Sequence, residues 1–257
     1  MLLHVVKLPT TKLGRDVQIF LLELYMYLAI ITATSSNDPL SLHLPDELMC
    51  MFAEIGASDC GSAGILCGSA HSLFGLIPRV LELQRMIRRE IGSEGQPSPS
   101  SMLALTSMRQ QVSDWVSQSS NPEFTACGKI YQLALLVCLD QAVKNQDISI
   151  PYAREYDSSD NIFRDAHILL DALPINASIN TTLCWPLAVI ASCAETQSQK
   201  DFMRDRLAGV YSSAGIGNIR QTLELLDKVW AGDGTEPSGP AGLETGMEKY
   251  GGRFSFA

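Results

Sequence analysis

Pro122-Glu123-Phe124-Thr125-Ala126-Cys127-Gly128-Lys129-Ile130-Tyr131-Gln132-Leu133-Ala134-Leu135-Leu136-Val137-Cys138-Leu139 is the stretch on which the fold turns. Proline suits the first turn of a helix, where the N–H it lacks would find no intrahelical partner anyway. Over residues 130–139 the side chains are apolar nearly all round the 3.6-residue period. A helix without a polar face belongs in the middle of a protein. Other helices must therefore surround it, and the flanking sequence supplies them.

Downstream, a loop containing Pro151 leads to Asp160, the expected N-cap of a helix carrying Ile162, Ala166, Leu169 and Leu173. Pro174 breaks that helix. Three more are expected at about residues 179–195, 198–212 and 218–230, the second opened by Ser198 with Asp201 and the third by Asn218. Upstream, Leu105, Met108, Val112 and Trp115 stripe one helix. Another starts at Pro78, with Val80, Leu83, Ile87 and Ile91 on one side and Arg79, Glu82, Arg88 and Arg89 on the other. Between these two the run Gly92-Ser93-Glu94-Gly95-Gln96-Pro97-Ser98-Pro99-Ser100 reads as a flexible surface loop over about residues 92–101. The first helix spans about residues 15–34 and stops at Ser35-Ser36-Asn37-Asp38-Pro39. A second follows Pro45, over about residues 46–55, with Asp46 and Glu47 in its first turn. Residues 61–75 are rich in Gly, Ala and Ser. At the other end a Gly/Pro-rich linker over about residues 232–242 precedes a short docking helix. No segment alternates with a period of two and nothing repeats. The expected fold is all-α, an irregular array of about nine to ten helices, forming one regulatory domain over residues 1–257.

A chain of 257 residues, 46% hydrophobic and 18% charged, can bury a substantial core. Its formal net charge of −9 repels phosphate backbones and argues against direct nucleic-acid binding. The densest basic spot, around Arg79, Arg85, Arg88 and Arg89, is diluted by Glu82 and Glu90 and reads as a solvated helix face. The 7 cysteines, at positions 50, 60, 67, 127, 138, 184 and 193, contain no CxxC pair and sit mostly in apolar surroundings. They are expected to be reduced and buried. Residues 17–34 are apolar enough to suggest a membrane span, but Gln18 and Glu23 interrupt them. A carboxylate at mid-bilayer costs about 2.5–3.5 kcal/mol on insertion scales. A buried core helix and no membrane partner are the expectation. The N-terminus lacks the pattern of a secretory signal, so the sequons at Asn176 and Asn180 read as chance matches.

Chemistry is harder to find. The local cluster Cys60, Cys67 and His71 could hold a metal only if its loop folded back on itself, and a packed core with a satisfied histidine is the simpler expectation. Cys67 and His71, one helical turn apart, could meet as nucleophile and base, but their apolar surroundings do not favour a thiolate. Asp157-Ser158-Ser159-Asp160-Asn161 lacks the adjacent carboxylates of an isoprenoid-type synthase, and Asn218, Thr222 and Glu224 do not give the spacing of a second set of oxygen ligands, because Leu226 stands where a carboxylate is needed. Gly215-Ile216-Gly217 has neither the third glycine nor the preceding strand of a phosphate loop. No catalytic, cofactor-binding or metal-ligating residue is therefore assigned, no cofactor is expected, and the chain reads as a non-enzyme. The alternatives are an all-helical enzyme centred on Cys67 and His71 or on the aspartates at 157 and 160, and an interaction protein that does not touch DNA.

One run is distinctive: Leu183-Cys184-Trp185-Pro186-Leu187-Ala188-Val189-Ile190-Ala191-Ser192-Cys193-Ala194, followed by Phe202, Arg206, Leu207, Ile219, Leu226, Val229 and Trp230. It resembles the C-terminal half of the fungal-specific transcription factor domain, the helical regulatory region downstream of binuclear zinc-cluster DNA-binding modules. His71-Ser72-Leu73-Phe74-Gly75-Leu76-Ile77-Pro78 and Ile130-Tyr131-Gln132-Leu133-Ala134-Leu135-Leu136 are similar to its earlier part. The resemblance implies a nuclear transcription regulator acting through protein contacts. Its expected partners are other transcription regulators or a separate DNA-binding module, a second copy as homodimer, and a small-molecule effector. The zinc-cluster cysteines that normally precede this region are not in the sequence. DNA contact is thus expected to come from elsewhere.

Overall fold

The computed structural model describes residues 12–35, 50, 52, 66–67, 70–144, 156, 158–232, 237–250 and 256. Within these the chain is all-α, without a strand. The helices are α1 (Lys12–Thr34), α2 (His71–Phe74), α3 (Ile77–Glu94), α4 (Pro99–Ser113), α5 (Pro122–Gln141), α6 (Ser159–Asp171), α7 (Cys184–Ser192), α8 (Gln197–Ala214), α9 (Gly217–Trp230) and α10 (Gly239–Tyr250), with a 3₁₀ turn over Ser178–Thr182. The helix expected over residues 46–55 lies outside the described residues, Cys50 and Phe52 excepted.

The central position of α5 follows from its composition. Ala126, Cys127, Gly128 and every residue over 130–140 are buried, and the helix packs against α2, α3, α4, α6, α7, α10 and the 3₁₀ turn. Its two polar residues in that stretch are both used to fasten α4. Gln132 donates through Nε2 to the carbonyls of Val112, Ser113 and Trp115 at 2.7, 3.2 and 3.1 Å, so a buried amide closes the end of α4, where carbonyls lack intrahelical partners. Asp140 receives Arg109 Nε at 2.7 Å and Nη2 at 3.1 Å, and also the amide of Tyr156 at 3.1 Å.

Helix α1 has one face in the core through Ile19, Met26, Tyr27, Ile30 and Ile31, while Val17, Leu21 and Leu28 are exposed on the other. It is the one described helix long and apolar enough to cross a membrane. Its start at Lys12 extends the expected helix by one turn. Helices α3 and α4 also run further than the sequence suggested. The expected loop at 92–101 is largely helical: α3 continues to Glu94, Gly95 caps it at φ 78°, and α4 begins at Pro99 behind the N-cap Ser98. Glu90 explains the shortening. Its carboxylate accepts the amide of Ser98 at 2.8 Å and the hydroxyls of Ser98 and Ser101 at 3.1 and 2.8 Å, holding the two helix ends together. The Gly/Pro-rich tail likewise turns helical within the expected linker, at Gly239.

Residues 179–195 form a 3₁₀ turn and then a separate helix instead of one helix, and Pro186 gives the reason. Proline has no N–H to donate to the carbonyl four residues back. That carbonyl, on Thr182, instead accepts the Tyr131 hydroxyl at 2.5 Å. Three caps differ from expectation. Ser158, not Asp160, accepts at the start of α6, from the Asp160 amide at 3.2 Å. Helix α9 starts after Ile216 with no side-chain cap, and Asn218 donates instead to the Phe256 carbonyl at 2.9 Å. Helix α8 opens with a reciprocal box two residues before the expected one: Thr196 Oγ1 accepts the Gln199 amide at 3.2 Å, and Gln199 Oε1 accepts the Thr196 amide at 3.1 Å. Thr196→Ala removes half of that box and should cost about 1 kcal/mol in denaturant titration, whereas Ser198→Ala should be nearly neutral.

Candidate functional site

Two places gather chemistry-bearing side chains. The first lies between α1 and the turn leading into α2. Glu23 is fully buried in the otherwise apolar inner face of α1, a position that a carboxylate occupies only with partners. It finds them in the turn. Glu23 Oε1 accepts the amides of Leu66 and Cys67 at 3.0 and 2.9 Å, and His71 Nε2 stands 3.5 Å from the same oxygen. The Cys67 thiol is fully buried beside it, and the ring of Phe52 lies over the imidazole with centroids 4.9 Å apart. One donor atom from each of Glu23, Cys67 and His71 falls within 4.8 Å of the others.

The sequence suggested a packed core with a satisfied histidine at position 71; His71 is buried as expected, and its polar contact is the 3.5 Å approach to Glu23 Oε1. Neither ring nitrogen of His71, nor Glu23 Oε2, has a hydrogen-bond partner among the described residues. An orphaned buried polar atom costs about 1–3 kcal/mol. Burial opposes ionisation of Glu23, but the neighbouring imidazole and the two amides outweigh it and hold the carboxyl below its usual range. Burial, and then the Glu23 carboxylate, push the Cys67 thiol well up. A thiol in that setting is a poor nucleophile, so the cluster does not support a cysteine hydrolase. Sequence reading paired Cys67 with His71 but missed Glu23, whose signal was its isolation in an apolar helix. Cys60 lies outside the described residues.

The second place is the contact that holds α10. Glu244 bridges Arg85 and Arg88 of α3, with Arg85 Nε 2.7 Å from Oε1 and Arg88 Nη2 on Oε2. Beneath it is a cavity of about 30 Å³ bordered by Gln84, Cys138, Trp185, Leu243, Met247 and Phe256. That volume suits about one water molecule, far below the roughly 300–1,000 Å³ of small-molecule pockets. The three groups are partly exposed, so the clasp is weaker than a buried one. Glu244→Ala should cost roughly 1–2 kcal/mol and speed amide hydrogen exchange selectively in residues 239–250.

The remaining candidates stay apart. Asp160 is exposed and takes Gln199 Nε2 at 3.3 Å, and Asp157 is outside the described residues. Thr222 is buried against the Cys184 thiol at 3.0 Å, while Glu224 faces Arg220 on the surface. Cys127, Cys138, Cys184 and Cys193 are buried as expected, but Cys50 is exposed. Arg206 is a structural cap: it donates to the carbonyls of Leu170 and Leu173 at the end of α6 and to Asn180 Oδ1, where a cation complements the helix dipole.

The chain matches the fungal-specific transcription factor domain over residues 2–255 and belongs to that family. Its field of action is accordingly the regulation of transcription. No match was found among curated proteins or among solved structures.

Proposed function

We propose that this chain is the helical regulatory domain of a fungal transcription regulator of the zinc-cluster type, working in the nucleus as a single domain through contacts with other proteins. The observation that carries the reading is the family match along nearly the whole chain. The charge of −9 supports assigning DNA contact to another module or partner. Transcriptional control then comes from a shift between helix packings biased by a partner or an effector. The cavity beneath α10 is too small for an effector as it stands, so an effector acting at that place would have to displace the helix.

The test joins the chain to a heterologous DNA-binding module and measures a reporter carrying that module's site. A change in reporter output relative to the module alone, together with no mobility shift of DNA by the isolated chain, is the expected result. Unchanged output with the fusion folded and nuclear defeats the reading.

A further inference from the structure

Glu23, Cys67 and His71 are three of the four side-chain types that bind zinc-class ions, and they come from two segments far apart in sequence. All three are buried, so their meeting is not the chance approach of long surface side chains. The unpartnered atoms are the informative part. Glu23 Oε2 and both His71 nitrogens are shut away from water without a hydrogen-bond partner among the described residues, and a cation directly satisfies the carboxylate oxygen and the one ring nitrogen that carries a lone pair. Donor identity narrows the ion. Calcium and magnesium prefer all-oxygen shells, whereas one thiolate, one imidazole and one carboxylate suit a tetrahedral borderline-soft ion. Tetrahedral zinc places its ligand atoms roughly 3.3–3.8 Å apart. The atoms here lie within 4.8 Å of one another, so the cluster must close slightly around an ion.

We propose that Glu23, Cys67 and His71 form a binding site for one divalent zinc-class ion, which ties α1 to the turn before α2. As the sulfur–metal bond forms, the Cys67 proton leaves to solvent; the His71 ring coordinates as the neutral tautomer with its one proton on the nitrogen away from the ion, releasing a proton only where it starts as the imidazolium. A thiolate, a carboxylate and a neutral imidazole then balance the dication, so the buried cluster has no net charge. A water or an added donor fills the fourth position. This site is separate from the cysteine-rich module absent from the sequence, and it stands or falls independently of the transcriptional reading.

The experiment uses the full chain, expressed without a histidine tag, stripped with chelator and titrated with Co²⁺ as the spectroscopic probe. Expected are uptake of one ion per chain, visible bands of four-coordinate intensity and a thiolate-to-cobalt charge-transfer band in the near ultraviolet. Cys67→Ser should abolish the charge-transfer band, and Glu23→Gln and His71→Ala should each weaken binding by at least about tenfold. X-ray absorption at the zinc edge of the wild-type chain loaded with Zn²⁺ covers the case of a variant that fails to fold, and one sulfur with nitrogen and oxygen neighbours is expected. No uptake, a charge-transfer band that survives in folded Cys67→Ser, or a zinc shell without sulfur overturns the proposal and leaves a buried carboxylate–imidazole pair beside an inert thiol.

Discussion

Arg109→Ala should lower stability by about 3–5 kcal/mol, the usual consequence of removing one member of a buried ion pair. The side chain of Asp140 has no solvent exposure and that of Arg109 retains 12%. The remaining carboxylate keeps the Tyr156 amide but loses its counter-charge. Chemical denaturation of the variant should show a much lower midpoint with an unchanged slope. A double substitution, Arg109→Met with Asp140→Leu, should recover much of the loss, because apolar residues of similar volume often replace a buried pair at little cost. Recovery should remain incomplete, since the Tyr156 amide loses its acceptor. A midpoint for Arg109→Ala within experimental error of the wild type would show that the pair is not buried as described.

Trp185→Ala should be comparably severe, at about 3–5 kcal/mol. The indole is 2% exposed in the middle of the core cluster, lies near-parallel to the Tyr131 ring at a centroid distance of 6.1 Å, and borders the small cavity under α10. Deleting it enlarges that cavity at the junction of α5, α7 and α10. Trp185→Phe should keep most of the stability. Trp230→Ala makes a useful contrast: this ring is only partly buried, its Nε1 donates to the Ala191 carbonyl at 2.9 Å, and Arg204 covers its face at 4.9 Å. If the two alanine variants lost equal stability, the distinction between a core and a rim tryptophan would not hold.

Much of the helical architecture could be read from the residues because apolar periodicity reports burial directly. The run over 130–139 specified a central helix before any coordinates, and Val80, Leu83 and Ile87 specified the inner face of α3. Boundaries were less legible, since they depend on tertiary partners. Glu90 shortens the connection between α3 and α4 by reaching across it, and nothing near residues 92–100 announces that. The division before α7 needs Tyr131, more than fifty positions upstream, to take the carbonyl that Pro186 cannot serve. The same limit applied to chemistry. Cys67 and His71 are four positions apart and could be considered together, whereas Glu23 joins them only through packing.

The seating of α10 changes what a nonsense mutation would do. This helix lies against α5, α7 and α9 and covers Cys138 and Trp185. A stop codon just after α9 would strip the lid from the interior and leave Arg85 and Arg88 without their carboxylate. The resulting polypeptide would present a greasy scar to chaperones and proteases. Alleles truncated there should therefore behave as losses of the whole protein, through its disappearance from the cell.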